Sequence, residues 1–147
     1  MENFDEENFT PDENTDWIYI SMYYELSEDF IRKFQDKFNW TRISCYQKLS
    51  ENFIREIRNR VDWTWVSCNQ KLSENFMREF QDYVSWYWIF RHQKLSEVFM
   101  REFQDRMNWQ LVLRYQDISD IFLYEMGFWE PYCYDMSLEP NFSLLDI

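Results

Sequence analysis

A tryptophan recurs every 23 residues along this chain, and this period constrains the fold more than any other feature of the sequence. The five tryptophans are Trp17, Trp40, Trp63, Trp86 and Trp109. A serine column keeps the same register: Ser27, Ser50, Ser73, Ser96 and Ser119. Periodicity of this length is typical of repeat proteins, in which small units bury their apolar faces only against their neighbours.

The second copy shows why a helix is predicted after each serine. Ser50 is a preferred N-cap residue, and the negative charge of Glu51 suits the first turn of a helix. Phe53, Ile54, Ile57 and Val61 then follow at helical spacing. We expect a helix of about eleven residues, which is three turns.

One apolar pair and two charged pairs in the same copy support this helix. Leu49 and Ile54 are placed as a hydrophobic staple around the cap. Glu51–Arg55 and Glu56–Arg60 are pairs four residues apart, with the acid on the N-terminal side, which is the more stabilising orientation.

A second, shorter helix is predicted at each tryptophan. The residues before the tryptophans are all N-cap types: Asp16, Asn39, Asp62, Ser85 and Asn108. In the second copy Trp40 and Ile43 lie on one face and are expected to point into the core. The Gln-Lys-Leu segment that follows turns the chain into the next serine.

Together these signals predict an all-α protein, an α-solenoid of five 23-residue helix-turn-helix repeats. We expect three parts: an acidic, mostly disordered N-terminal segment (1–16), the five-repeat solenoid (17–127) and a C-terminal tail that caps the last repeat (128–147). A leucine-rich repeat shares the period, but the chain lacks the L-x-x-L-x-L strand pattern.

Charge and composition exclude several classes of protein. The net charge is −12, yet residues 1–16 hold seven acids and residues 128–147 hold four, with no base in either segment. The repeats are therefore nearly neutral, which argues against nucleic acid as a partner. The longest strictly apolar run, residues 86–90, is too short to span a membrane. The odd count of three cysteines favours reduced thiols in a cytosolic or nuclear compartment. We expect a cytoplasmic location.

The repeat unit resembles a known group of sequences. Residues 46–51, 70–74 and 93–97 read YQKLSE, QKLSE and QKLSE, and each is followed by Phe and then Arg. This pattern resembles short tandem repeats in proteins of large cytoplasmic DNA viruses of the giant-virus and iridovirus kind. The resemblance covers roughly residues 17–126 and implies a viral source and a repeat architecture. For a viral protein the expected cytoplasmic location is the host cytoplasm. It implies no catalytic residues, because such proteins are mostly without an assigned role.

An enzyme is not predicted. A single histidine, His92, and a single glycine leave no nucleophile motif and no phosphate-binding loop. No spacing of cysteine and histidine indicates a metal, and no cofactor is expected.

The departures from the repeat are the candidate site. The position two residues after each tryptophan reads Tyr19, Arg42, Trp65, Trp88 and Leu111, and the position six after reads Tyr23, Tyr46, Asn69, His92 and Tyr115. These positions are expected to form a strip away from the core. Its predicted partner-binding residues are Trp65, Asn69, Tyr87, Trp88, Arg91 and His92. The strip is either a contact surface, since Trp, Tyr and Arg dominate binding hot spots, or packing between neighbouring helices.

Two function classes follow. The first is a protein-protein interaction module that uses the strip, for example a viral binder of a host factor. The second is a structural or assembly protein that self-associates through the ends of the solenoid. The first predicts a monomer, and the second predicts homo-oligomers, weak or otherwise.

Overall fold

The computed structural model describes residues 4–128, which form ten α-helices, one 3-10 helix (Gln104–Arg106) and no β-strand. Five helices begin at a repeated tryptophan: α1 (Trp17–Tyr23), α3 (Trp40–Tyr46), α5 (Trp63–Asn69), α7 (Trp86–His92) and α9 (Trp109–Tyr115). Five begin after a repeated serine: α2 (Glu28–Lys33), α4 (Glu51–Glu56), α6 (Glu74–Glu79), α8 (Glu97–Glu102) and α10 (Asp120–Glu125). We call them the Trp helices and the Ser helices. The predicted all-α class and the 23-residue helical repeat are confirmed.

The chain divides into two compact units, residues 1–116 and 117–147. The first unit holds α1 to α9 and is a helical repeat solenoid in which each Trp helix packs against the next one. The described part of the second unit holds α10. The second half of the fifth copy lies in the second unit. The predicted division into residues 1–16, 17–127 and 128–147 stays a prediction.

The serine caps are confirmed in all five copies. Each Ser hydroxyl accepts a hydrogen bond from the backbone N–H of the phenylalanine three residues later, at 3.1–3.2 Å. The predicted ion pair between the first-turn acid and the arginine four residues on is also present, at 3.8 Å for Glu51 and Arg55. These local signals place the start of every Ser helix.

The predicted length of the Ser helices was wrong. Each has six residues, not about eleven. In the second copy Ile57 leaves the helical conformation (φ −103°, ψ 18°), and the Arg60 N–H bonds to the Ile57 carbonyl in a tight turn. The predicted Glu56–Arg60 pair is therefore also wrong, because that pair needs a continuous helix. Arg60 instead binds Asp36 of the preceding repeat at 3.0 Å.

The Trp helices begin at the tryptophans as predicted. Asp16, Asn39, Asp62 and Asn108 each cap their helix with a side-chain oxygen, whereas Ser85 makes no side-chain cap bond. The tryptophans themselves lie at the rim of the core and are half-buried, which corrects the prediction that they point fully inward. Two of them are held there by a hydrogen bond: the indole N–H of Trp63 donates to the Arg58 carbonyl at 3.1 Å, and that of Trp86 donates to the Gln81 carbonyl at 3.0 Å.

The core consists of aliphatic and phenylalanine columns. Ile43, Val66 and Ile89, three residues after a tryptophan, are completely buried, and so are Phe53 and Phe76 of the Ser helices. Each column continues into the neighbouring repeat, so a repeat buries its apolar face only when the next one is present.

A row of buried glutamines joins the repeats, and the sequence analysis missed it. Gln47, Gln70, Gln93 and Gln116 each follow directly after a Trp helix and are at most 9% exposed. The Oε1 atom of Gln70 accepts from the Leu49 N–H at 2.9 Å. Its Nε2 atom donates to the carbonyls of Ser44 and Gln47, at 3.0 and 2.8 Å. The same three bonds recur for Gln47, Gln93 and Gln116.

The glutamine row provides hydrogen-bond donors for the ends of the Trp helices. The last carbonyls of an α-helix lack partners within the helix. Ser44 and Gln47 lie at the C-terminal end of α3, and the side chain of Gln70 in the next repeat donates to both of their carbonyls. The Trp helices α1, α3, α5 and α7 are therefore each capped by the repeat that follows them.

Charged residues of the Ser helices also join each repeat to the next. Arg32, Arg55 and Arg78 bind a glutamate of the next repeat, at 2.9, 2.8 and 2.7 Å. The first-turn glutamates Glu28, Glu51 and Glu74 accept the backbone N–H of the next repeat's capping serine, at 2.5–2.7 Å. These acids were predicted only as first-turn charges, and the structure adds that they join repeats.

The N-terminal segment lies against the first repeat. Phe4 contacts Tyr24 and Phe30, with ring centroids 4.9 and 5.3 Å apart. Glu6 accepts the N–H of Ser27 at 2.6 Å and also binds its hydroxyl. Glu6 thus takes the place that a glutamate of a preceding repeat would occupy. Disorder of the first ten residues stays a prediction, and the contacts of Phe4 and Glu6 argue against it at these two residues.

The described part of the second unit ends as the sequence indicates. Gly127 has a positive φ of 82°, and the Phe128 N–H bonds to the Leu123 carbonyl at 3.0 Å. This arrangement is the Schellman helix ending. It favours glycine because a residue with a Cβ is strained in the left-handed conformation, and glycine has no Cβ. The predicted capping role of residues 129–147 lies outside the described residues.

Candidate functional site

The strip predicted from the sequence lies on the Trp helices. Residues two and six positions after each tryptophan are four apart, so they lie one above the other on the same helix face. Because the Trp helices pack side by side in chain order, these positions run as two parallel columns across the first unit. The local reason is the N-cap before each tryptophan, which fixes the start of the helix and so the direction of every later side chain.

Four of the six predicted residues form one contact cluster on α7. The Trp88 ring lies 5.3 Å from His92 and 5.1 Å from Tyr87, centroid to centroid. The Arg91 guanidinium lies 5.5 Å from the Trp88 ring, and its Nη1 atom donates to the Tyr87 hydroxyl at 3.1 Å. Tyr87 and His92 are exposed, whereas Trp88 and Arg91 are half-buried.

The other two predicted residues lie on α5 and differ from each other. Trp65 is 37% exposed, so part of the indole is open to solvent. Asn69 is exposed, but its Nδ2 atom donates to the Cys45 carbonyl of the preceding repeat at 2.8 Å. Asn69 therefore has a role in joining α3 to α5 that the sequence did not indicate.

The exposed fraction of the first column is lower at its C-terminal end than at its N-terminal end. It is 47% at Tyr19, 37% at Trp65 and 9% at Leu111. Packing between helices therefore explains the C-terminal end of this column, and it explains little of the side chains at Tyr19 and Trp65. The aromatic rings at the N-terminal end also pair with each other, since Tyr19 and Tyr23 lie 4.6 Å apart.

Two residues that the prediction left out extend the cluster into the next repeat. The guanidiniums of Arg91 and Arg114 each lie 5.5 Å from the centroid of the Tyr115 ring. For Arg114 the signal was present in the sequence, because Arg91 and Arg114 occupy the same repeat position. We call Trp88, Arg91, His92, Arg114 and Tyr115 the arginine-aromatic cluster.

The charge of the Trp helices differs from that of the rest of the chain. None of the five contains Asp or Glu, whereas Arg42, Arg91 and Arg114 lie on them. The described contacts of these arginines are with aromatic rings and, for Arg91, a phenol hydroxyl. On the Ser helices the arginines bind carboxylates instead. The strip is thus aromatic and positively charged on a chain of net charge −12.

The cysteines beside the strip are not activated. Cys45 and Cys68 are free and half-buried at the same position of α3 and α5. Burial raises the pKa of both thiols, and this outweighs the opposing effect of a nearby arginine. A thiol with a raised pKa is mostly protonated at neutral pH and so is a poor nucleophile.

Within residues 4–128, no three side chains of His, Cys, Asp or Glu are grouped so that they could hold a metal ion. No helix in this range has both the length and the apolar character needed to cross a bilayer.

Comparison with known proteins gives no relative. No family model, no curated protein and no solved structure matches this chain.

Proposed function

We propose that the first unit is a protein-interaction module and that the strip on the Trp helices is its binding surface. The observation that carries this proposal is the exposure of Tyr19, Tyr23, Trp65 and Tyr87, which are 37–52% exposed on one face of the array. The other recurring features of the repeat are explained by helix caps within one repeat or by contacts to the neighbouring repeat. Large exposed aromatic side chains that do not join repeats fit a contact surface, because such residues dominate binding energy at interfaces.

The alternative, self-association through the ends of the solenoid, has less support at the N-terminal end. Residues 4–9 already cover the first repeat, with Glu6 in the position of a neighbouring repeat's glutamate. The first repeat also has Tyr24 at the glutamine position and Lys33 where later copies have a glutamate. A second copy stacked on this end would therefore lose both joining contacts, which disfavours head-to-tail assembly.

The source and location of the protein belong to the same proposal. The resemblance of residues 17–126 to tandem repeats of large DNA viruses supports a viral protein whose partner is a host protein. Free cysteines in the strip's helices support a reducing compartment such as the cytoplasm.

The double change Trp65→Ala with Trp88→Ala tests the proposed function. We expect the variant to keep the helical circular dichroism spectrum and to lose the protein that the parent captures from cell lysate. The physical reason is that both indoles are partly exposed, so their contribution is larger for a partner than for the fold. Capture is measured by affinity purification and mass spectrometry.

The matched control is Tyr83→Ala, which removes an exposed aromatic side chain of the third repeat outside the strip. It should capture the same protein as the parent. If the double variant folds and captures everything that the parent does, the strip is not the binding surface.

A further inference from the structure

We propose that the arginine-aromatic cluster recognises an acidic peptide segment of a partner protein, one in which carboxylates flank an aromatic side chain. The inference rests on the proposed function and names the chemistry of the ligand at one part of the strip. Two features lead to it: arginines that have no carboxylate on their own helices, and rings that lie directly beside them.

The first feature is the state of the two arginines. Arg91 and Arg114 lie near the C-terminal ends of successive Trp helices, and the described contacts of Arg114 are with the Tyr115 ring alone. A guanidinium carries five N–H donors, of which Arg91 uses one on Tyr87 among the described residues. The remaining donors suit a carboxylate, which accepts two parallel hydrogen bonds from one guanidinium.

The Ser helices show what arginines of this chain do when a carboxylate is near. Arg55 binds Glu51 of its own helix and Glu79 of the next repeat. Arg32 and Arg78 make the equivalent pairs. The Trp helices contain no acid that could fill this role, so a carboxylate at Arg91 and Arg114 has to come from elsewhere.

The second feature is the geometry around Tyr115. Its ring lies 5.5 Å from both guanidiniums, and Trp88 lies 5.5 Å from one of them. Rings in contact with arginines restrict the motion of the guanidiniums and so lower the entropy lost when they bind a ligand. The same rings offer an apolar surface for an aromatic side chain between the ligand's carboxylates.

Charge complementarity selects an acidic partner. Arg91, Lys94 and Arg114 are the positively charged residues of this part of two adjacent repeats, and neither α7 nor α9 holds an acid. The nearest acids in the sequence, Glu97 and Asp117, follow these helices, and Glu97 pairs with Arg101. The acids of the N-terminal segment are at the far end of the sequence. At physiological ionic strength charges interact mainly within about 8 Å, so the local positive charge decides binding and the net charge of the chain does not.

Single-stranded nucleic acid also binds arginines and aromatic rings, but it fits this cluster less well. Strong binding to a nucleic-acid backbone requires a basic groove that follows many phosphates. Here the basic side chains form one patch, and the helix that precedes it, α5, has no basic residue. A short acidic segment matches a patch of this size.

The experiment measures fluorescence anisotropy of a labelled synthetic peptide, Glu-Glu-Tyr-Glu-Glu-Phe-Glu-Glu, with the full chain at 0.15 M salt. We expect the parent to bind this peptide and to bind its Gln-for-Glu counterpart at least about 10-fold more weakly, since charge-assisted hydrogen bonds are lost. The double change Arg91→Gln with Arg114→Gln should weaken binding of the acidic peptide by a similar factor. The control, Lys37→Gln with Arg58→Gln, alters the net charge equally at exposed residues outside the strip and should change binding less than about 2-fold.

Three results would overturn the inference: no binding by the parent, an equal loss in the control variant, or tighter binding of a single-stranded oligonucleotide of the same length than of the peptide. If the double variant does not fold, the single change Arg114→Gln, at an exposed residue, carries the same comparison. A failure of this inference can be distinguished from a failure of the proposed function. If Trp65→Ala with Trp88→Ala abolishes capture while the peptide never binds, the strip is a binding surface and its ligand is not acidic.

Discussion

Replacing Gln70 by methionine is expected to lower the free energy of unfolding by about 3–6 kcal/mol, because a buried polar group left without its partner costs about 1–3 kcal/mol. Three groups lose their partner at once: the Leu49 N–H and the carbonyls of Ser44 and Gln47. Methionine is close to glutamine in size, so the effect reports on hydrogen bonding and not on packing volume. Chemical denaturation followed by far-ultraviolet circular dichroism measures the loss.

The control for this change is Gln81→Met, the same chemical replacement at an exposed glutamine eleven residues further along the chain. Its side chain joins no repeats, and we expect a change within about 0.5 kcal/mol. Similar losses for Gln70 and Gln81 would mean that the buried glutamines do not join the repeats.

The second large effect is expected for Phe76→Ala, which should cost about 3–5 kcal/mol, because a completely buried aromatic side chain leaves a cavity. The ring of Phe76 packs 4.6 Å from that of Phe80 and lies 5.0 Å from the Arg55 guanidinium of the preceding repeat. The change therefore damages both the core of its own repeat and the junction before it. Denaturation under the same conditions gives the comparison.

Two further variants rank the repeat positions by their contribution to the free energy of unfolding. Trp63→Ala should cost less than Phe76→Ala, about 2–3 kcal/mol, because Trp63 is only half-buried. The loss comes from its apolar contacts and from its one hydrogen bond, to the Arg58 carbonyl. Ser73→Ala should cost about 1 kcal/mol through the lost cap. A serine change larger than the phenylalanine change would contradict the assignment of Phe76 to the core and Ser73 to the cap.

The start of each helix was predictable from the sequence because caps are local. Ser73 and Asp62 act on backbone groups two or three residues away, and their residue types suffice to identify them. The ends of the Ser helices were not predictable in this way. Ile57 continues a helical apolar pattern, but the turn after it brings Arg60 to Asp36 of another repeat, and that contact is absent from any local window.

The glutamine row was missed for the same reason. Gln70 stands in a turn, and polar residues in turns are usually exposed. Its three hydrogen bonds reach residues 21, 23 and 26 positions earlier, so its role depends on the stacking of two repeats. Recurrence of the glutamine in four copies was the available signal, and its spacing equals the repeat length.

The candidate site was predictable in outline. The columns four residues apart indicated a shared helix face, and the structure brings Tyr87, Trp88, Arg91 and His92 together on α7. The sequence could not separate Asn69, which bonds to the preceding repeat, from exposed Trp65, because the two positions are four residues apart on the same helix face. Nor could it join Tyr115 to Arg91, since that contact crosses a repeat boundary.

The central claim is that each repeat is joined to the next by the same buried glutamine contact, and amide hydrogen exchange tests it most directly. The N–H groups of Leu26, Leu49, Leu72 and Leu95 lie outside every helix, yet each donates to a glutamine Oε1 atom at 2.9–3.2 Å. We predict that all four exchange as slowly as amides in the middle of the helices, since each is buried and bonded. Exchange as fast as in exposed turns at Leu49 and Leu72, the two in the middle of the first unit, would contradict the account.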